Sequence, residues 1–172
     1  MKPLKRLGVV ALLLVFFAYG AYLGRHELTR MQEQLPSFTA AAGETQQVRI
    51  EMQDGVKLFT SVMLPEGEGP FPSVLLRNPY ARFTPIMRDT LCGRFIRYGY
   101  ACVLQDVRGQ GESEGEWSPM VNEVRDGRDT ISWLVEQPFQ DGNIAMVGPS
   151  YLASVQYAVA ASGLPSEVKT LV

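Results

Sequence analysis

The residues with the clearest chemical potential lie in Ile144-Ala145-Met146-Val147-Gly148-Pro149-Ser150-Tyr151-Leu152-Ala153. A short apolar run stops at a glycine, a serine follows two residues later, and an apolar, helix-favouring segment begins. This is the outline of a strand, a tight turn and a helix with Ser150 at the apex. Such a turn lifts a hydroxyl above the end of a sheet, open to a base on one side and a substrate on the other. The chemistry it suggests is covalent: the oxygen attacks an acyl carbon and an acyl-enzyme forms. Gly148 lets the turn close without a Cβ. The helix beginning near Tyr151 points free amides and a positive dipole end at a developing negative charge. The amide of Tyr151 is the first oxyanion donor. In the usual G-x-S-x-G spacing a second glycine stands where this chain has Ala153, and one methyl fits if helix and strand sit slightly further apart. Taken alone, the pattern also suits an ordinary α/β turn with a surface serine. A serine nucleophile needs a base, and the one histidine, His26, lies beside an N-terminal apolar segment.

A sheet must position that serine. Val48, Ile50 and Met52 alternate with polar residues, as in a half-buried strand. Asp54-Gly55 signals a hairpin, and Lys57 to Leu64 reads as the returning strand, stopped by Pro65. Ser73–Leu76, Tyr100–Leu104 and Ile144–Val147 are short apolar strands. Helices are predicted over 85–98 and 121–136, the second with Val124, Ile131, Leu134 and Val135 on one face. Val168 to Val172 opens a further strand. Apolar strands alternating with helices predict an α/β fold: a mostly parallel sheet covered on both faces, with an antiparallel leading hairpin.

The blocks between these elements carry more information. Arg77-Asn78-Pro79-Tyr80 follows the first parallel strand. Gln105-Asp106-Val107-Arg108-Gly109-Gln110-Gly111-Glu112-Ser113-Glu114-Gly115 follows the second, and Asp129 precedes Trp133-Leu134. In this order the blocks resemble the cocaine-esterase and X-Pro dipeptidyl-peptidase family of α/β-hydrolases. The family carries R-x-P-Y, Q-D-x-R-G-x-G-x-S-x-G, D-x-x-x-W-L and G-x-S-Y-x-G in turn, and the likeness covers roughly residues 46 to 172. It implies the N-terminal part of an α/β-hydrolase fold, with Ser150 as the acylated nucleophile. It also implies that the Tyr80 hydroxyl completes the oxyanion hole with the amide of Tyr151. A phenol on a Pro-stiffened loop is a directed donor that needs little reorganisation. Gly109-Gln110-Gly111 could suggest a dinucleotide loop, but no apolar helix opens there. Asp106 and Arg108 read instead as organisers of the loop at the C-terminal strand edge. Trp117 and Trp133 read as packing residues.

Lys2, Lys5 and Arg6 precede an uncharged stretch from Leu7 to Gly24, closed by Arg25 and His26. Eighteen residues at 1.5 Å each give about 27 Å of helix, near the hydrocarbon thickness of a bilayer. An uncleaved signal anchor is the favoured reading of residues 1–24. A cleaved signal peptide is the alternative, with a small-residue site at Ala18-Tyr19-Gly20. Either places the domain on the non-cytoplasmic side, or secreted or periplasmic after cleavage. Residues 25–45 read as a linker and 46–172 as an incomplete α/β-hydrolase domain.

The 172 residues carry a net charge of −2, with no long basic run beyond residue 30, which argues against a nucleic-acid partner. Cys92 and Cys102 are too few for a disulfide scaffold and lack zinc spacing. Two buried free thiols are the favoured reading over a bridge. No metal or organic cofactor is implied.

The expected activity is a serine hydrolase cleaving an ester, amide or Xaa-Pro peptide bond. The family's acid and histidine lie after the elbow, so the chain reads as an N-terminal fragment lacking both and largely inactive alone. The alternative is a non-catalytic, membrane-tethered α/β binding module. Substrate and oligomeric state are not legible.

Overall fold

A computed structural model describes residues 37–172. The predicted signal segment, most of the predicted linker and His26 lie outside the described residues. Among those described, no helix is long and apolar enough to cross a membrane.

Six strands build one sheet: β1 (Ala42–Glu51), β2 (Lys57–Pro65), β3 (Phe71–Asn78), β4 (Ala101–Asp106), β5 (Gln140–Met146) and β6 (Val168–Leu171). Their order is β1-β2-β4-β3-β5-β6. β2 runs antiparallel to β1 and β4, and β3 runs parallel to β4 and β5, as β6 does to β5. The predicted hairpin is present: the Met52 amide donates to the Val56 carbonyl, and Gly55 takes φ +83°, which a β-carbon would resist. β1 begins at Ala42, inside the stretch read as a linker. The Thr39 and Ala40 amides already donate to the Arg97 carbonyl.

Three helical stretches cover the sheet. The first, α1, runs over 81–97 as a 3₁₀ turn, an α-turn, a π-helical turn and a last α-turn. The others are α2 (Glu123–Val135) and α3 (Tyr151–Ala161). Strand side chains alternate between two apolar layers, as a pleated sheet requires. Val74, Leu76, Cys102 and Leu104 meet Cys92 and Ile96 of α1, together with Leu152. Leu75, Val103, Ile144 and Met146 meet Ile131 and Leu134 of α2, and Val159 of α3. Full burial of each such side chain contributes about 1.5–3 kcal/mol. Trp133 packs at the margin of this second layer, as expected of a packing residue.

Two expectations need correction. Ile131, Leu134 and Val135 of α2 pack on the core as expected, but Val124 is exposed. The inward face of that helix instead includes Glu123, Asp126 and Thr130. Two buried arginines, Arg77 and Arg108, sit beneath its first turns and demand polar partners there. α2 also approaches α3 closely: a β-carbon on Gly127 would run into Val159.

The second correction concerns the cysteines. Cys92 and Cys102 are disulfide-bonded, not free, with Cα atoms 5.4 Å apart. The helical winding of 81–97 returns Cys92 to β4, inside the range of Cα separations a bridge spans. The bond ties the segment that follows Tyr80 to the centre of the sheet. Replacing both cysteines with alanine is expected to cost about 2–4 kcal/mol. Urea denaturation without reductant checks this, and the gap between the two proteins should narrow once dithiothreitol has reduced the bridge.

Candidate active site

Ser150 occupies the turn between β5 and α3, with φ 58° and ψ −123°. Few non-glycine residues adopt such a backbone. The sequence holds it there by several contacts. The Val147 amide donates to the Leu75 carbonyl of neighbouring β3, and the Gly148 amide to the Val172 carbonyl. Gly148 has φ +143°, and a β-carbon there would collide with Leu152. The glycine requirement read from the sequence therefore holds. Ala153 is half-buried on the first turn of α3, where its methyl is accommodated. Gln156, one turn further, is buried and braces the elbow: its amide nitrogen donates to the carbonyls of Gly148 and Val172, and its oxygen accepts the Val172 amide.

The Ser150 side chain is exposed and makes no capping bond to the helix that follows it. The Tyr151 amide stands at the first position of α3, where N–H groups lack intrahelical acceptors and the dipole end is positive.

Tyr80 lies two residues past the end of β3, the strand adjacent to β5 in parallel register. Both candidate residues thus follow the C-terminal ends of neighbouring parallel strands. Asn78 fixes the approach to Tyr80. Its Oδ1 accepts the Tyr80 amide at 2.9 Å, and its Nδ2 donates to the Tyr80 carbonyl and to Thr84 Oγ1. The Tyr80 ring is exposed and meets Phe83 edge-on, with centroids 6.4 Å apart.

The β4 edge completes the frame. Asp106 is buried; Thr84 Oγ1 donates to its Oδ1 at 2.8 Å, and the Glu112 amide to Oδ2. Burial raises its pKa, against the pull of those two donors. A β-carbon on Gly111 would strike this carboxylate, so a glycine there lets the loop fold over Asp106. That is the organising role expected for this block. Arg108 grips Asp126 with two bonds, at 2.9 and 2.7 Å, and reaches Asp54 in the β1–β2 hairpin. Asp126, then Asp54, push the guanidinium pKa upward, and Arg108 holds the Asp54 carboxyl below its usual range.

One assembly was not legible in the motifs. The Tyr151 hydroxyl donates to Glu123 Oε1 at 2.9 Å and accepts the Met120 amide at 2.9 Å. Glu123 is buried against Arg77, whose side chain is fully buried, at 2.8 Å. Arg77 also donates to Gln105 Oε1 and to the Glu123 carbonyl, and Thr130 donates to the same Gln105 oxygen. An arginine ending an apolar strand was the available signal, since a buried charge must find a buried partner. Trp117 packs on the Tyr151 ring at 5.4 Å, the packing role expected of it.

Among the described residues no group of three or more His, Cys, Asp or Glu side chains could hold a metal ion.

Residues 54–172 match the protein family described as X-Pro dipeptidyl-peptidase (S15 family). Cocaine esterase of Rhodococcus sp. (strain MB1 Bresler) is 43% identical over 120 residues, covering 68% of this chain and 21% of the relative. The fold is similar to a solved α-amino acid ester hydrolase: TM-score 0.65, 32% identity, 80% of this chain and 26% of that one. It is also similar to an aminopeptidase from a marine sediment Thaumarchaeota archaeon: TM-score 0.67, 27% identity, 77% and 25%. The chain spans about a fifth of the length of the curated relatives it matches.

Burial, and then the facing Glu123 carboxylate, push the Tyr151 phenol up to about 12, against the Met120 amide. The raised value means that the contact of the protonated phenol stabilises fully below its ordinary pKa of 10.0 and is lost as pH climbs to about 12. Difference absorbance titration of wild type against Tyr151→Phe should resolve one phenol ionising near 12. Ionisation at the ordinary value would contradict the geometry.

Proposed function

The chain belongs to the cocaine-esterase and X-Pro dipeptidyl-peptidase (S15) family of α/β-hydrolases, and on that premise we propose that it carries the nucleophile and oxyanion donors of a serine hydrolase. The substrate contains an ester, amide or Xaa-Pro peptide bond and passes through an acyl-enzyme. The observation that carries the reading is Ser150 itself: exposed, in a left-handed backbone, at the head of α3.

In this mechanism Ser150 Oγ attacks the acyl carbon while its proton passes to a general base. The carbonyl oxygen becomes an alkoxide that accepts from the Tyr151 amide and the Tyr80 hydroxyl. Collapse expels the alcohol or amine, which takes the proton, and water then releases the acid by the same route. None of residues 37–172 is a histidine, and the proposal assigns the base to a histidine beyond the described residues. Residues 1–172 expressed alone are proposed to turn over activated esters far more slowly than a form that carries the base and acid. An exported domain, held by residues 1–24 or freed from them, is the proposed setting. The Cys92–Cys102 bridge supports it, because disulfides persist in oxidising compartments.

Hydrolysis of p-nitrophenyl butyrate by the whole protein tests the assignment. Ser150→Ala should abolish turnover, and Tyr80→Phe should lower kcat by ~10²–10³, the usual cost of one oxyanion donor. Turnover that survives Ser150→Ala would overturn the nucleophile assignment, and an unchanged kcat in Tyr80→Phe would remove Tyr80 from the site.

A further inference from the structure

The proposed mechanism uses only the backbone of Tyr151, yet its side chain is tied down more firmly than that role needs. The ring lies against Trp117, and the hydroxyl makes two 2.9 Å hydrogen bonds, to the Glu123 carboxylate and from the Met120 amide. Met120 has φ 63°, unusual for a side chain of its size, so the loop is held in a shape it would not take unaided. Its neighbours at the surface are apolar: Met120 and Val121 are both exposed. Glu123 in turn is anchored on the sheet by the buried Arg77, and Arg77 by Gln105. The chain of contacts therefore runs from β4 through β3 and the start of α2 to the first residue of α3, and out to the 116–122 loop.

We propose that Glu123 is a positioning residue: its carboxylate, fixed by Arg77, holds the Tyr151 phenol, and the phenol sets both the aim of the Tyr151 amide and the fold of the 116–122 loop packed on it. The proposal rests on the hydrolase reading above. Physically, an oxyanion donor is effective only if it is already oriented when charge develops. A peptide plane at the end of a helix can tilt as the first turn frays. A side chain from the same residue, bonded to a buried ion pair, restrains that tilt. Trp117, against the ring, and the Met120 amide, on the hydroxyl, add to that restraint.

Tyr151→Phe is the informative variant, since it keeps the ring on Trp117 and removes both hydroxyl bonds. In the whole protein its kcat for p-nitrophenyl butyrate should fall ~10-fold with KM changed less than about twofold, the pattern for an interaction realised in the transition state. Hydrogen exchange at the Met120 amide should accelerate, because its acceptor is gone. Glu123→Gln, which keeps an acceptor for the phenol, should retain more activity than Glu123→Ala. Should the alanine variant fail to fold, the Tyr151→Phe measurements decide alone. A Tyr151→Phe protein with wild-type kcat, or with unchanged exchange at Met120, would overturn the proposal while leaving Ser150-dependent hydrolysis intact. Absence of Ser150-dependent turnover in the wild type would instead overturn the hydrolase reading, and this proposal with it.

Discussion

A serine held at φ 58° and ψ −123° costs roughly 1–3 kcal/mol relative to relaxed backbone, and the surrounding structure must over-determine it. Three parts of the fold do so. β3 and Val172, just past β6, hold the strand leading in through the Val147 and Gly148 amides. Leu152 fills the space that a side chain on Gly148 would need. Gln156 closes the turn from inside α3 by bonding the Gly148 carbonyl and both polar backbone groups of Val172. The reward for the strain is placement: the Ser150 side chain stays exposed, and the first amides of α3 face the same edge. A relaxed turn would give up that arrangement.

Around this constraint two buried ion pairs lie at one end of the sheet. Arg77 pairs with Glu123, and Arg108 with Asp126, while Arg108 also reaches out to the exposed Asp54. Breaking such a buried pair by deleting one partner typically costs about 3–5 kcal/mol, because the other charge is left stranded. Buried pairs of this kind typically add little net stability over apolar packing of similar volume, and here they cross-link separate elements. Arg108 joins the leading hairpin to α2 and the β4 loop. Arg77 joins two strands to α2, and through Glu123 to Tyr151. The Cys92–Cys102 bridge does the same work covalently for α1, the element that follows Tyr80.

The strands and the elbow were legible because their signals are local. Period-two alternation at Val48, Ile50 and Met52, the Asp54-Gly55 turn, and the glycine two residues before Ser150 each depend on a few neighbouring residues. The order of the sheet was not, because pairing β2 with β4 rather than β3 depends on contacts far apart in the chain. The face of α2 was misread for a related reason. Hydropathy selected Val124, while the helix turned inward the residues that the buried arginines required. The disulfide followed the same rule: spacing alone gave no reason for it, and the fold of 81–97 against β4 did. Tyr151 was found as an amide and missed as a side chain, since a backbone donor is implied by a helix start but Glu123 lies 28 residues away.

The central claim is that the hydroxyl of residue 150 is the group that becomes acylated. Exposure of the whole protein to a fluorophosphonate, followed by proteolysis and mass spectrometry, tests it most directly. One adduct is expected, on the peptide containing Gly148-Pro149-Ser150-Tyr151 and located to the serine. An adduct on any other residue, with that peptide unmodified, would contradict the account.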